Sequence, residues 1–528
     1  MFIDARSVPA GTTVETDLCI IGAGAAGIAM ALQFLTAGLR VSVVESGALD
    51  FEADTQALYD GTSVGMSYPG LATTRLRYFG GTTNHWGGWC LPLDPIDFEP
   101  RDGLPYRGWP IDRTVLDPWY EKAQKVLDLG PFDYRPASWG IQTEEIPDPF
   151  KGPHLHCALL QSSRQPRMAA LYGPTLKQAD GVTVYLHANA VHLAADDTGR
   201  EVQDLGVATL AGNRFTIRSK VYVLAAGGIE NARLLLVSGK PDGPGLGNGH
   251  DLVGRFFMVH LEYDSSTIAV ADPYTNFDFY TGELLATSGR FYDPFKMDYV
   301  SFVAVAEDSL RRLGLPNCKY RWTYDYEPAK QTIDAVRRLL RAWSDNHLLG
   351  DIGAVMRDLG GAGEFAWRKT LGRPALPVRS LNVHMTGEPL PNPASRIRLG
   401  DDRDALGMRR LVVDWHLTAE DKQKALALQR LLGTEVGRTG FGRLRITLAD
   451  DDTTWPAKMT GDEHHMGTTR MHADPAQGVV DADCRVHGLA NLFIASSSVF
   501  PTAGAANPTL TIVALALRLA DHIKRQRT

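Results

Sequence analysis

The chain has 528 residues, 44% of them hydrophobic and 22% charged, which places it among ordinary globular proteins and outside the disordered, collagenous and disulfide-rich classes. Its 54 basic and 61 acidic residues leave a formal charge of −7, which argues against a general nucleic-acid binder, whose affinity rests on neutralising phosphates. Five cysteines without a CxxC pair indicate neither a disulfide framework nor a thiolate metal site, length alone suggests roughly three domains, and 52 glycines, about 10% against a usual ~7%, matter only where they cluster.

The first residues, MFIDARSVPAGTTVETD, carry neither a basic nor an apolar targeting region, so the expected location is the cytoplasm. Leu18–Leu35 is free of charge and long enough to suggest a membrane span, but the glycines inside it give a better account. Asp17–Glu45 reads as an apolar strand (DLCIIG), a helix (AAGIAMALQFLTAG) and a second strand (LRVSVVE), a βαβ unit. Gly22, Gly24 and Gly27 form G-x-G-x-x-G at the first turn, with Ala25 and Ala26 opening the helix. Such glycines serve the tight turn, the close approach of a pyrophosphate and the helix–strand contact, and the helix N-terminus favours the phosphate charge. Glu45, eighteen residues after Gly27, is placed to accept from ribose hydroxyls and would repel a 2′-phosphate. The motif by itself does not choose between NAD and FAD; its position near the start of a long chain leans toward a flavin.

Next, Phe79–Cys90 reads FGGTTNHWGGWC. Gly80, Gly81, Gly87 and Gly88, with Thr82, Asn84, His85 and Trp86 between them, suit a loop lying against a flat ligand. Lys220–Leu236 reads KVYVLAAGGIENARLLL, a strand running through Ala226 and Gly227 into a helix, so a second backbone segment can pass close to the same cofactor. Strand-like runs follow at STIAVA, YVSFVAVA, KYRWTY and RLVVDW within 255–330 and 375–420, and Arg- and Leu-rich helical segments between them at 329–370. Solvated helices are the favoured reading of that stretch, with a lid or docking face as alternatives.

The C-terminal region carries most of the chemistry. Gly461–Met471 reads GDEHHMGTTRM; Asn491–Ile523 holds a short strand (NLFIAS), a loop (PTAGAA) and a long apolar helix. Asn507 is expected to cap that helix and Pro508, before Thr509, to open it, so that its positive end points at whatever lies before it and, if that is a flavin ring, stabilises the anionic reduced form. His464, His465, His472 and His487 lack a defensible ligand spacing, so no metal site is expected. A histidine that takes a hydroxyl proton, beside a side-chain amide that holds the same oxygen, is the more natural reading.

Together these segments resemble the glucose–methanol–choline (GMC) family of flavin oxidoreductases, over most of the chain. GAGAAG with Glu45 is similar to its N-terminal FAD motif, AAGGIENARLLL to its second signature, and GEPLPNPASRIRL with DALGMRRLVVDW to a segment of its substrate domain. The resemblance implies His464, three residues before Gly467-Thr468, as catalytic base and Asn507, forty-three residues later, as its partner. The Asn507 setting and GGTTNHWGGWC look like the pyranose-oxidase branch, in which the histidine at the His85 position is joined to the flavin, although the residues flanking His85 differ.

The expectation is therefore an α/β protein, α+β overall, with a Rossmann-like FAD domain (1–60, 75–100, 185–258 and 455–528) interleaved with a substrate domain (101–184 and 259–454) on a mostly antiparallel sheet. It would oxidise a CH–OH group of a sugar, glycoside or aminoglycoside, the acidic balance tolerating a cationic aminosugar. Electrons would pass to dioxygen, a quinone or a redox partner, and an oligomer is possible. The alternatives are an FAD dehydrogenase of a non-sugar alcohol and a nicotinamide-dependent reductase. The reductase requires a second G-x-G-x-x-G unit, which the chain lacks.

Overall fold

The computed structural model describes residues 1–526 apart from 107, 140–142, 241–242, 274, 276–298, 325–331, 333–334, 337, 340–347, 371–377 and 452. Much of the expected helix IDAVRRLLRAW lies outside the described residues.

The apolar runs of the first βαβ unit are interior strands of an eight-stranded sheet. Its order is Phe2–Asp4, Val182–Leu186, Val41–Val44, Thr13–Ile21, Arg214–Leu224, Val202–Ala208 and Asn189–Ala195, with Leu492–Ile494 also paired to Arg214–Leu224. The pairings from Phe2–Asp4 through to Arg214–Leu224, and that of Leu492–Ile494, are parallel; the last two strands form an antiparallel flap. Helices Ala25–Gln33 and Thr509–Arg525 contribute buried alanines and leucines to the core of this sheet, as a parallel sheet covered by helices requires. The charge-free run Leu18–Leu35 is thus a buried strand and helix, and among the described residues no helix is long and apolar enough to cross a membrane. The helix is shorter than expected, Ala25–Gln33, because the chain turns at Phe34, whose N–H closes on the Ala31 carbonyl at 3.1 Å.

The second sheet is antiparallel: Gly442–Ile446, Leu261–Val270, Ser380–Gly387, Cys318–Tyr324, Tyr299–Val305, Leu155–Ser162 and Trp89–Cys90, with Thr460–Gly461 paired to Leu261–Glu262. The strand Val182–Leu186 runs across the expected boundary at 184/185 and belongs to the first sheet.

Alternation along the second sheet gives it two different faces. Tyr263, Tyr320, Trp322, Leu381, Val383 and Met385 are buried in a core shared with Leu428, Leu432 and Val436 of helix Ala419–Arg438. The residues between them, Glu262, Lys319, Arg321, His384 and Thr386, point the other way. The registers Glu262↔Thr386↔Lys319 and Asp264↔His384↔Arg321 set them in two polar rows.

Candidate active site

The sharp turn after Thr13–Ile21 is fixed by two glycines with no room for a side chain. A Cβ on Gly22, whose φ is +109°, would sit 2.5 Å from the Ala225 carbonyl oxygen, and one on Gly27 would sit 1.9 Å from the Gly22 carbonyl oxygen. Gly24 differs, because a Cβ there would meet nothing within 4 Å. It stands at the N-cap of Ala25–Gln33 without a side-chain cap, which leaves first-turn N–H groups facing open space. That space suits a pyrophosphate, and on this ground the residues present fit a dinucleotide. Glu45, 5% exposed, accepts from Ala23 N and Gly47 N, each at 2.9 Å. The carboxylate braces the loop from beneath and keeps lone pairs for other donors.

The other glycine segments converge on this turn. Gly80 N donates to the Ala23 carbonyl at 2.9 Å, and a Cβ on Gly81 would lie 3.2 Å from Gly24 Cα. Within the loop, Gly81–Asn84 is a single 3₁₀ turn, Asn84 Nδ2 donates to the Phe79 carbonyl at 2.8 Å, His85 Nε2 meets the Tyr78 hydroxyl at 2.9 Å and Trp86 Nε1 donates to the Pro166 carbonyl at 2.7 Å. Thr82, His85 and Gly87 are exposed, while Gly88 is buried. Ala226 N–H is held by Asn231 Oδ1 at 2.9 Å, and a Cβ on Gly227 would meet nothing within 4 Å. A Cβ on Gly228 would sit 2.2 Å from the His465 carbonyl oxygen, so the second glycine segment rests directly on the histidine segment.

Pairing in the second sheet positions that histidine segment. Thr460–Gly461 pairs antiparallel with Leu261–Glu262, Asp462 N donates to the His260 carbonyl at 3.1 Å, and Met258 bridges Met466. His260 therefore lies opposite His464.

The hydrogen bonds fix where the protons are. His260 Nε2 lies 3.0 Å from the Gly504 carbonyl oxygen, which can only accept, so Nε2 carries the hydrogen. Burial, with the nearby His464 and Lys319, lowers the His260 pKa to about 4, so its ring is neutral and Nδ1 is an acceptor. His464 Nδ1 lies 2.9 Å from that atom and 2.6 Å from Asp462 Oδ2, and so it donates to both. Against its burial, His464 holds the Asp462 carboxyl well below the usual range. In the neutral His464 ring the lone pair is then on Nε2, which lies 3.4 Å from Asn507 Nδ2. Asn507 Oδ1 accepts from Lys319 Nζ at 2.8 Å. Lysine has no acceptor, so the carboxamide must turn its N–H₂ toward His464.

Asn507 does not take the capping role expected of it. Helix Thr509–Arg525 has Pro508 at its N-cap and no side-chain cap, because the Asn507 carboxamide is drawn to Lys319 and His464. Pro508 lies one position earlier than expected. Its carbonyl accepts from Ile512 N at 2.8 Å.

The other histidines do not converge. His465 is buried, bonded through Nε2 to the Tyr68 hydroxyl and stacked on Phe257. Burial, with the charge of Arg75, lowers its pKa to about 3. His472 Nδ1 accepts from Asp474 N at 3.0 Å, and its carbonyl accepts from His487 Nε2 at 2.9 Å.

Asp462, His260 and Lys319 escape the sequence reading. Asp462, two residues before His464, had a local signal; His260 and Lys319 had none, being 204 and 188 residues from their partners.

The chain is similar to known proteins over most of its length. Residues 391–516 match the GMC oxidoreductase C-terminal model, and residues 17–256 match the FAD dependent oxidoreductase model. The 6'''-hydroxyparomomycin C oxidase of Streptomyces lividus is 28% identical over 97% of this chain and 92% of its own. The fructose dehydrogenase large subunit of Gluconobacter japonicus is 23% identical over 97% and 98%. Among solved structures, a fungal aryl-alcohol oxidase shares the fold with a TM-score of 0.57 at 16% identity, over 97% of this chain and 99% of that one. The chain belongs to the glucose–methanol–choline family: it is an FAD-dependent oxidoreductase acting on CH–OH donors.

Proposed function

We propose that this enzyme oxidises a secondary or primary hydroxyl of a neutral sugar or glycoside to a carbonyl, with His464 as base and Asn507 as its partner. The observation that carries the reading is the single lone pair of His464 at Nε2, beside an amide N–H₂ that Lys319 turns toward it. FAD, when bound, supplies the hydride acceptor. His464 Nε2 takes the hydroxyl proton, Asp462 and His260 hold the ring and stabilise the charge it gains, and Asn507 Nδ2 donates to the same oxygen. The Gly22–Gly27 turn with Glu45, the Gly80–Gly88 loop, Ala226–Gly227 and the 507–509 segment hold the cofactor. On this reading the first sheet belongs to the FAD domain and the second to the substrate domain, so that Trp89–Cys90 and Thr460–Gly461 fall on the substrate side and not with the FAD segments 75–100 and 455–528 expected to hold them.

The polar sheet face supports a neutral substrate. Glu262 faces Arg321 at 3.8 Å and His384 at 3.6 Å, and it accepts from Thr386 Oγ1 at 3.0 Å; Asp264 faces His384 at 3.2 Å. Against their burial, Glu262 and His384 stabilise each other's charged forms, with the carboxyl lowered and the imidazole raised. Each carboxylate on this face among the described residues already has a protein cation, which leaves no surplus negative charge for an aminosugar ammonium. Arg321 stacks over Trp89 at 5.1 Å, which puts an aromatic surface at the edge of the row. Anaerobic mixing with neutral glycosides should bleach the flavin at low millimolar substrate, and the corresponding amino sugars should bleach it at least about tenfold less efficiently, the equivalent of ~1.4 kcal/mol. The opposite order would assign the site to aminoglycosides. Repeating the panel in air separates dioxygen from a quinone or protein acceptor.

We also read the flavin as held without a covalent bond, because His85 Nε2 is engaged by the Tyr78 hydroxyl. Acid precipitation of the pure protein should release the yellow colour into the supernatant; a yellow pellet would assign a bond to His85. All five cysteines are buried thiols and none is in a disulfide, which supports a cytoplasmic location.

A further inference from the structure

We infer that Lys319 is a positioning residue for the oxidation: its ammonium holds the Asn507 carboxamide with the N–H₂ turned to the reacting oxygen and so fixes the polarity of the relay that ends at His464. The inference rests on the reading of His464 and Asn507 given above.

A buried ammonium is costly and is usually matched by a carboxylate. Lys319 is 3% exposed near the start of Cys318–Tyr324, between Thr386 and Ala304 on the neighbouring strands. Among the described residues it forms no ion pair, and Nζ bonds to the neutral Asn507 Oδ1. Burial, with the charge of Arg321, lowers its pKa to about 8, against the opposing pull of the Glu262 and Asp462 carboxylates, neither of which it touches. Glu262, in the same row, is turned to Arg321, His384 and Thr386.

A site that only needed to fill this space would hold a methionine at no electrostatic cost. What the ammonium adds is direction. A carboxamide offers an acceptor at one end and donors at the other, and unconstrained it could turn either end to the substrate. Lys319 presents donors only, so Oδ1 is taken and Nδ2 is left for the hydroxyl oxygen. From the other end of the relay, Gly504 O fixes the His260 tautomer, His260 and Asp462 fix Nδ1–H on His464, and Nε2 is left as acceptor. Two groups that cannot change polarity, an ammonium and a backbone carbonyl, thus terminate a chain of three groups that can. The substrate hydroxyl entering between Nε2 and Nδ2 meets one acceptor for its proton and one donor for its oxygen.

The test is a double-mutant cycle on the flavin-loaded enzyme, with a sugar or glycoside that reduces the wild type. Lys319→Met and Asn507→Ala should each slow anaerobic flavin reduction about 10²-fold, the usual size for one lost donor at a reacting oxygen. The double variant should be no slower than Asn507→Ala within about a factor of 2, because residues acting through one contact do not add. Each variant should also weaken binding of the carbonyl product, read from the flavin absorption shift. Lys319→Gln, which offers either an oxygen or an N–H₂ and so no longer imposes a direction, should resemble Lys319→Met. Multiplying single effects in the double variant, wild-type reduction by Lys319→Met, or loss of flavin and fold in both Lys319 variants would overturn the inference. If no CH–OH donor reduces the wild type, the functional reading fails, and the carboxamide signals of Asn507 in nitrogen-15 spectra without substrate still decide the role of Lys319. They should show one ordered, exchange-protected N–H₂ in the wild type and a broadened, exchanging N–H₂ in Lys319→Met, with the His464 tautomer the same in both, and an unchanged carboxamide would count against it.

Discussion

Replacing His464 with alanine should leave a folded, yellow protein whose flavin is bleached by substrate roughly 10²–10⁴ times more slowly than in the wild type, the usual size of a general-base contribution. The ring sits at the end of the Asp462 and His260 contacts with its side chain 21% exposed, so its removal opens little core, and none of its bonds supports the glycine cradle. Flavin content and thermal midpoint are therefore expected to stay near wild type, and stopped-flow anaerobic reduction measures the rate. Bleaching at the wild-type rate would remove His464 from the mechanism. His465→Ala should show the reverse pattern. That side chain packs against Phe257 and bonds Tyr68 in the interior, so its loss should lower the thermal midpoint by the equivalent of about 1–3 kcal/mol, as expected for a buried group whose partner is left unsatisfied, while the reduction rate changes less than about tenfold. Adjacent in sequence, the two histidines are assigned to different tasks because their side chains leave the segment in different directions.

Gly24→Val and Gly27→Ala should separate cofactor binding from folding within one four-residue turn. Gly24 has an extended backbone, with φ of −81° and ψ of −162°, which any residue adopts, and a Cβ there meets nothing within 4 Å. The valine protein should fold with the thermal stability of the flavin-free wild type, yet its branched side chain would occupy the space where first-turn N–H groups await the pyrophosphate. Flavin content, read as the ratio of visible to ultraviolet absorbance, should fall below about a tenth, because losing the phosphate contacts costs at least the ~1.4 kcal/mol that a tenfold change represents. Gly27→Ala asks for a Cβ 1.9 Å from the Gly22 carbonyl oxygen, so helix and strand must separate, which costs about 1–3 kcal/mol as overpacking does. Its deficit should appear in the flavin-free protein as well. A Gly24→Val enzyme that retains full flavin would place the pyrophosphate elsewhere.

The contrast between these glycines marks how far the sequence reached. The βαβ unit, the strand through Ala226, the helix after Pro508 and the alternating strands such as KYRWTY were legible because each is set by the spacing of neighbours along the chain: apolar runs for buried strands, period-2 alternation for a two-faced sheet, glycines where backbone touches backbone. Which glycine leaves room and which is filled was not legible. Gly22 is closed by Ala225 and Gly228 by His465, residues more than two hundred positions away.

The amino-acid sequence by itself determined a dinucleotide turn and the glycine segments that close on it, since these follow from local backbone demands and short spacings, whereas the roles proposed for His464 and Asn507 came from the resemblance of their segments to a known family. Tertiary structure alone decided what those residues face. The N-cap expected of Asn507 gave way to a lysine 188 residues earlier, because a buried ammonium must find an acceptor and the carboxamide was the one within reach. The polarity of His464 was likewise settled by His260, 204 residues away, because strand pairing sets partners by register across a sheet, and register with a distant strand leaves no trace in the order of residues around either one.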